Sequence, residues 1–543
     1  MRTWTFWSAS VGRLCLKTTI DVVLLTASDS QLGAASLRSP VIIKSDMFDI
    51  QTIDERREAI ALATPARHKS LYGQFMTPGP IAQFMAGMFA PLAGKQIKLL
   101  DAGAGIGSLT AAVALRAIKE KIFSLECEAW EIDTKLHQPL TATLTACAEL
   151  VQEYGGEFKS VIQPDDFILA FTDLFARAKM ALPTHAILNP PYKKIVSESA
   201  HRQALRSCGI ETTNLYSAFV ALALIALKDG GELVAITPRS FCNGPYFRPF
   251  RELLLSKSAL TKIHLFESRT QAFKGDEVLQ ENVIFHVVKG QKQGAVLVSC
   301  SEDATFSRLT ERVMPFAEIV RPDDRGKVFH LAVDEERATL GPTMRKYCHT
   351  LDEIGLGVST GPVVDFRMRD HLRVEPGAQA AAQLAPMIHT HHFVEGFVAH
   401  PKLEAKKPNY IEINAETQKW LMPTGCYVLI RRLSSKEEKR RIVPAVFTPE
   451  FVTGDLIGFD NKTNVLHQAK RGMAKEVAKG LAVYLGSTFA DLWFRRFSGH
   501  TQVNAADLRT LRYPDIETLI EWGGRVHATL PSQEEIDHWV GGI

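Results

Sequence analysis

The sequence predicts an α/β fold over residues 47–290, a doubly wound and mostly parallel sheet, and three observations carry that expectation. Strand-like and helical patterns alternate from about residue 90 to about residue 290. One apolar run, Lys98-Leu99-Leu100, ends in a glycine-rich turn that opens a helix, Asp101 to Thr110. Another, Ala186-Ile187-Leu188, ends in Asn189-Pro190-Pro191-Tyr192, where two prolines force the chain out of the sheet in a stiff, extended turn. Open α/β sheets place their ligands at the carboxyl ends of the strands, so both turns fall where chemistry is expected.

In chain order, the first 46 residues carry Arg2 and the apolar run Val22-Val23-Leu24-Leu25, too short and too interrupted for the hydrophobic region of a signal peptide. They are expected to be an unstructured arm or an over-extended start, with Met47 standing before the enzyme. Residues 51–70 and 80–90 read as helices, the second beginning behind Pro78 and Pro80. The turn after Leu100 carries Gly103, Gly105 and Gly107, which let a backbone approach a ligand closely. Its G-x-G-x-G spacing is not the dinucleotide fingerprint, and no G-K-[ST] follows to cradle phosphates. About thirty residues on, Glu128-Ala129-Trp130-Glu131-Ile132-Asp133 should end a second strand with a carboxylate able to accept both ribose hydroxyls of an adenosine. In Pro164-Asp165-Asp166-Phe167, Asp166 can accept from an adenine amino group while Phe167 packs on the ring. The Asn189 side chain and the Pro190 carbonyl are acceptors suited to a planar amine, and Tyr192 offers a face for stacking. Each motif alone has an ordinary reading: a tight turn, a solvated strand-end charge, a common loop, a stiffened strand exit. In series they fit an adenosine-containing cofactor lying across strand ends beside an amine-presenting substrate. Ala218 to Leu227 is apolar nearly all round and reads as a buried helix.

The order and wording of these motifs resemble the N6-adenine DNA methyltransferases of the γ class, whose cofactor is S-adenosylmethionine. The match begins at Tyr72-Gly73-Gln74-Phe75-Met76-Thr77-Pro78. The resemblance implies that Thr77 and Pro78, and also Tyr72 and Gln74, cap the methionine end of the cofactor. It further implies that Asp101, Gly103 and Gly105 form the methionine-side loop, Glu131 the ribose ligand, and Asp166 with Phe167 the adenine contacts. Asn189, Pro190 and Tyr192 correspond to the target-base motif, and Asp229 to Pro238 to a later core strand with its turn. Phe273, in Thr270-Gln271-Ala272-Phe273 before the apolar stretch Asn282 to Val288, is the candidate platform for an extruded base, with Phe266 and Phe247 competing. The wording around Val358 to Gly361, Arg431 to Arg441 and Ser498 to Asn504 is similar to PstI-type modification methylases, so the resemblance covers most of residues 50 to 515. It implies methyl transfer to the N6 of a flipped adenine in double-stranded DNA, within a restriction-modification system. A cognate endonuclease would then act on the same site without forming a stable complex. The alternative is a protein N5-glutamine or RNA methyltransferase using the same Asn-Pro-Pro-Tyr pocket, which explains neither the front motif nor the long C-terminal region.

That region, 291–543, is expected to be an α+β target-recognition domain, opened by the polar stretch Gln291 to Gly294. It mixes strand-like runs such as Ala445-Val446-Phe447 with helices such as Ala474 to Leu485, while 378–384 fits helix or loop equally. A net charge of +3 does not announce a nucleic-acid binder, so a DNA-facing surface must come from local clusters. The candidates are Arg431 and Arg432, and Lys470 and Arg471, against the ordinary fate of such charges as a solvated helix surface. Eight scattered cysteines without a C-x-x-C pair argue for a reducing, cytoplasmic setting and against a zinc site. His389, His391 and His392 are read as a surface or DNA-facing loop, and no metal is expected. No internal repeat and no membrane span is found.

Overall fold

The protein is described by a computed structural model from Ile50 to Gly541, apart from residues 66, 69–71, 74, 93–95, 123, 177–181, 267–280, 332–345, 376–383, 406, 435–437, 452–453 and 499–500. The chain divides into two units, Met1–Asp46 and Met47–Ile543, and everything below concerns the second.

Helix α1 (Ile50–Ala63) is shorter than the sequence suggests, because Pro65 removes a donor and restricts the residue before it. Helix α2 (Gly79–Gly87) starts behind Pro78 with Pro80 in its first turn, where a missing N–H costs nothing. Then follow β1 (Ile97–Ala102), α3 (Ser108–Lys119), β2 (Ser124–Trp130), α4 (Thr134–Glu153), β3 (Glu157–Gln163), α5 (Phe167–Ala176) and β4 (His185–Leu188). Next come α6 (Ala200–Ser207), α7 (Leu215–Ala226), β5 (Glu232–Pro238), α8 (Arg248–Lys257), β6 (Ser258–Phe266), β7 (Asn282–Lys289), β8 (Val296–Ser301) and β9 (Leu309–Met314). These strands form one sheet in the order β3-β2-β1-β4-β5-β7-β6-β8-β9. The first five run parallel, and β7 inserts antiparallel between β5 and β6. The strand order reverses between β1 and β4, the switch point that opens a crevice beyond the strand ends. Strands β4 and β5 are buried along their whole length, as parallel strands covered on both faces must be. One apolar core includes α7, whose residues from Tyr216 to Leu224 are all buried, and the other packs α2, α3 and α4 on the opposite face.

The sheet does not stop at residue 290. Strand β8 pairs with β6, and β9 with β8, so residues 296–314 extend the same sheet and the expected division at 290 falls inside it. Val296, Val298 and Cys300 are all buried, and β8 lies inside the sheet between β6 and the edge strand β9.

Beyond lie α9 (Phe316–Ile319), β10 (Gly357–Thr360), β11 (Leu372–Arg373), β12 (Leu384–Ile388), β13 (Phe393–Val394), β14 (Phe397–Val398), β15 (Tyr410–Glu412), β16 (Met422–Pro423), β17 (Tyr427–Arg431), β18 (Pro444–Phe447), β19 (Leu456–Phe459) and β20 (Thr463–His467). They build a six-stranded sheet, β10-β20-β17-β18-β14-β13, and a five-stranded one, β11-β15-β12-β19-β16. Helices α10 (Lys475–Gly486), α11 (Thr488–Phe497), α12 (Ala505–Thr510), α13 (Ile516–Gly524) and α14 (Gln533–Gly541) close the chain, and their apolar faces pack with β10, β17, β18 and β20 in one core. Gly480 and Gly523 let α10 and α13 touch backbone to backbone, since a Cβ at Gly480 would stand 1.9 Å from the Leu519 carbonyl oxygen. Of the undecided segment 378–384, Leu384 begins β12 and the rest lies outside the described residues. Among the described residues no helix is long and apolar enough to cross a membrane.

Candidate active site

A cavity of about 390 Å³ occupies the crevice at the β1/β4 switch point. Thr77, Gly103, Gly105, Glu131, Asp166, Phe167 and Asn189 all line it, so five separate sequence motifs meet in one place. Pro78, Asp101, Pro190 and Tyr192 are not among its lining residues, and Phe273 lies outside the described residues.

Asn189 is the best-defined side chain of the site. Its amide nitrogen donates to the Phe75 carbonyl at 2.6 Å and to Thr77 Oγ1 at 2.9 Å. A backbone carbonyl can only accept, so the group facing Phe75 must be the NH₂ and the amide cannot be flipped. Both amide protons are thereby used, and Oδ1 is left as the acceptor on a side chain that lines the cavity; among the described residues its hydrogen-bond partner is the Tyr192 hydroxyl, donating at 3.3 Å. The front motif holds the turn elsewhere too. Tyr192 N–H donates to the Gly73 carbonyl at 3.3 Å, and Gly73 has φ +65° with the Tyr192 nitrogen 3.3 Å from where a Cβ would be. The role expected of Thr77, capping the cofactor, is therefore joined by another, fixing the amide of Asn189. Tyr192 packs its ring between Phe75 and Tyr216, with centroids 5.5 and 6.2 Å away, and acts as a wall behind Asn189.

On the other side of the crevice, Glu131 follows β2 and is 5% exposed. Its Oε2 accepts the Gly105 N–H and its Oε1 the Asp133 N–H, each at 2.8 Å. Burial, only partly offset by these two bonds, pushes its carboxyl up to about 7. Each carboxylate oxygen has a second lone-pair site, so the group can still accept two hydroxyls. Gly105 has φ +58° and open space where a Cβ would project. Phe167, 3% exposed, sits among Trp130, Phe171 and Phe219. Asp166 starts α5, accepting the Leu169 N–H at 3.0 Å, and its other oxygen meets His201 Nε2 at 2.8 Å.

Asp101 departs from expectation. It is fully buried below the glycine loop, where Thr110 Oγ1 donates to its Oδ2 at 2.7 Å and its Oδ1 has no hydrogen-bond partner among the described residues. Burial pushes its carboxyl up to about 7 as well. Its geometry is that of a residue holding the loop from beneath rather than one touching a ligand in the cavity. Sequence reasoning missed His201 and Phe219, which also line the cavity. Nothing in the sequence marks His201, because α6 brings it to Asp166 only through the fold; Phe219 lay within the helix read as plain core.

The DNA-facing candidates divide. The Arg431 guanidinium pairs with Glu438 at the rim of a second cleft of about 440 Å³, lined also by Thr390, Leu433, Ser434, Lys462 and Thr501. Arg432 is committed within the fold, donating to the Asn461 carbonyl at 2.7 Å and to Gln502 Oε1 at 3.2 Å. Lys470 and Arg471 are exposed on the turn after β20, closed by reciprocal Gln468–Arg471 backbone bonds. Arg431 pairs with Thr463 at one end of β20 and His467 ends the other, so the two clusters stand about 13 Å or more apart. The histidine reading is corrected outright: His389 and His392 are 4% and 0% exposed, because β12 carries the run into the interior rather than out to a loop.

The cavity's chemistry fits S-adenosylmethionine: a buried acid for ribose, an aromatic cluster beside an acid for the base, and an open glycine loop between them. The family model for the Eco57I restriction-modification methylase matches residues 186–273. The chain is 48% identical to the type II methyltransferase M.BsuBI of Bacillus subtilis over 90% of its length and 96% of that protein. It is 41% identical to M.PstI of Providencia stuartii over 89% and 95%. Among solved structures, a DrdV–DNA complex aligns at 13% identity and TM-score 0.46 over 89% of this chain and 60% of that one. The type IIG restriction endonuclease BpuSI aligns at 15% and 0.40, over 83% and 60%. On the extent of its identity to two curated relatives, the chain belongs to the type II restriction-modification methyltransferases, S-adenosylmethionine-dependent enzymes that methylate DNA.

Proposed function

We propose that the protein methylates the exocyclic N6 amino group of an adenine extruded from duplex DNA. The observation that carries this reading is the Asn189 amide, whose NH₂ is committed to Phe75 and Thr77 and whose Oδ1 is thereby assigned as an acceptor at the cavity. An aromatic amine is a poor nucleophile because its lone pair is delocalised into the ring. Asn189 Oδ1 and the Pro190 carbonyl accept its two N–H groups, favour a pyramidal nitrogen and aim the freed lone pair. Bound S-adenosylmethionine supplies an electrophilic methyl group. Glu131 would hold the ribose, Asp166 and Phe167 the adenine ring of the cofactor, and the glycine loop its methionine end. The rate gain comes from positioning and from fixed dipoles rather than from a covalent intermediate. An amine stacked inside a duplex cannot reach a crevice this deep, so the base must be extruded, with Phe273 as the candidate stacking surface and Tyr192 backing Asn189. Asp101 positions the loop from below.

Residues beyond the first sheet are the target reader in this account. Arg431 at its cleft is the base-contacting candidate, Lys470 and Arg471 are backbone contacts elsewhere, and Arg432 is a buttress. A cognate restriction endonuclease acting independently on the same site completes the system. The test is nucleoside analysis by mass spectrometry of plasmid DNA after incubation with the enzyme and S-adenosylmethionine, with tRNA and protein acceptors in parallel. N6-methyladenine in the DNA supports the reading; a methylated cytosine, or label in RNA or protein alone, refutes it.

A further inference from the structure

We infer that Asp365, His389 and Asp460 form a binding site for a divalent transition-metal cation at the base of the Arg431 cleft. Three elements distant in sequence bring these residues together. Asp365 lies in the turn after β10, His389 directly follows β12, and Asp460 follows β19 beside it, its N–H donating to the Ile388 carbonyl at 3.0 Å. One ligand atom from each lies within 4.8 Å of the other two. His389 Nδ1 stands 3.2 Å from Asp460 Oδ2 and 3.9 Å from Asp365 Oδ1. Ligands about 2.1 Å from a shared cation are themselves roughly 3.0–3.4 Å apart, so the His389–Asp460 edge already has coordination spacing and the Asp365 carboxylate would move in toward both.

Charge and hydrogen bonding favour a cation over a self-contained network. Asp460 is 1% exposed and His389 4%, and Asp460 Oδ1 and Asp365 Oδ1 are buried without a hydrogen-bond partner among the described residues. Lys462 Nζ meets Asp365 Oδ2 at 3.1 Å and offsets one of the two carboxylate charges. The second, on Asp460, is met at longer range by the Arg432 and Lys462 charges, while its direct ion-pair partner among the described residues is His389. A proton on Nδ1 can bond one oxygen and leaves the others unmet, whereas a cation satisfies all three ligands together. Two carboxylates with one imidazole suit Zn²⁺ or Mn²⁺ better than the all-oxygen sites of Mg²⁺ or Ca²⁺. Such a cation would lock the turn carrying Thr390 against the turn carrying Lys462, two residues that line the cleft with Arg431.

The experiment uses the full chain, stripped with chelator and dialysed. Zn²⁺, Mn²⁺ or Co²⁺ is added back; binding is read by elemental analysis after gel filtration, and stability by thermal denaturation. Expected are about one equivalent of retained metal and a metal-dependent rise in Tm in the wild type, both lost in Asp460→Asn and His389→Ala. Visible d–d absorption of the wild-type Co²⁺ protein reports nitrogen–oxygen coordination without relying on any variant's folding. Less than about a tenth of an equivalent retained, no Co²⁺ spectrum and a Tm indifferent to metal would overturn the inference, leaving the cluster as a His389–carboxylate ion network. Metal retained equally by both variants would overturn it as well, by placing the ion elsewhere.

Discussion

At the scale of single residues, the site is organised by how Asn189 is held rather than by Asn189 alone. Thr77 Oγ1 takes one of its two amide protons. Thr77→Val keeps the shape and removes that acceptor, which leaves a half-buried donor unpaired at a cost of about 1–3 kcal/mol. The expected result is a fall in kcat of roughly tenfold or more with cofactor affinity little changed, and near-normal turnover in Thr77→Ser; stopped-flow and calorimetric measurements on the variants check it. Glu131 supplies a pH dependence. Because burial raises its carboxyl to about 7, above the unfolded value, the folded protein holds its proton more tightly and this residue's contribution to stability declines as pH rises toward 7. Ribose hydroxyls require the ionised form, so cofactor affinity should rise with pH and level off above 7, being about tenfold weaker at pH 6 than at pH 8. Calorimetry across that range should show a flat, weaker profile in Glu131→Gln; a parallel pH dependence in the variant would remove Glu131 from the role.

At the scale of elements, the two ends of the first sheet do different work. The carboxyl ends carry the cavity. At the amino ends, Glu232 of β5 binds His286 of β7 at 3.0 Å and the Ala90 N–H at 2.7 Å, with His185 of β4 at 4.0 Å. Burial pushes this carboxyl up, but His286, the Ala90 N–H and the charge of His185 outweigh it and hold the group well below the usual range. A depressed folded pKa gives stability that is present above the unfolded value near 4.3 and lost as pH falls through the folded one. Glu232→Gln should therefore lower stability at neutral pH by about 3 kcal/mol, with the difference from wild type shrinking below about pH 4; urea midpoints across pH read this directly. The strands β1 and β4 and the helix α7 were legible in the sequence, because a buried parallel strand is an unbroken apolar run and a helix buried all round is apolar on every face. Strands β8 and β9 were not, since Gln291 to Gly294 looks like a linker and nothing local says that the chain returns to the same sheet edge. The end of α1 is set by Pro65.

At the scale of the whole molecule, local charge was the least informative signal. Arg431 and Arg432 are neighbours in sequence, yet one reaches a cleft and the other is spent on Asn461 and Gln502. Arg431→Ala should weaken DNA binding by about 1–3 kcal/mol and relax site choice. Arg432→Ala should instead lower the unfolding midpoint, and fluorescence anisotropy with cognate and altered duplexes, beside thermal melts, separates the two. The histidine run shows the same thing: only its place directly after β12 turns His389 and His392 inward. The glycine-loop, acidic and Asn-Pro-Pro-Tyr motifs were more legible, because Gly103, Gly105, Glu131, Asp166 and Asn189 follow strand ends and line one cavity at the switch point.

The central claim is that Asn189 Oδ1 acts on the target amine and not on the cofactor, and Asn189→Ala tests it most directly. Single-turnover methylation of duplex DNA and calorimetric S-adenosylmethionine binding are measured on the same preparation. The account predicts that methyl transfer is lost while cofactor affinity stays within about threefold of wild type. Methyl transfer at the wild-type rate, or loss of cofactor binding with the fold intact, would contradict it.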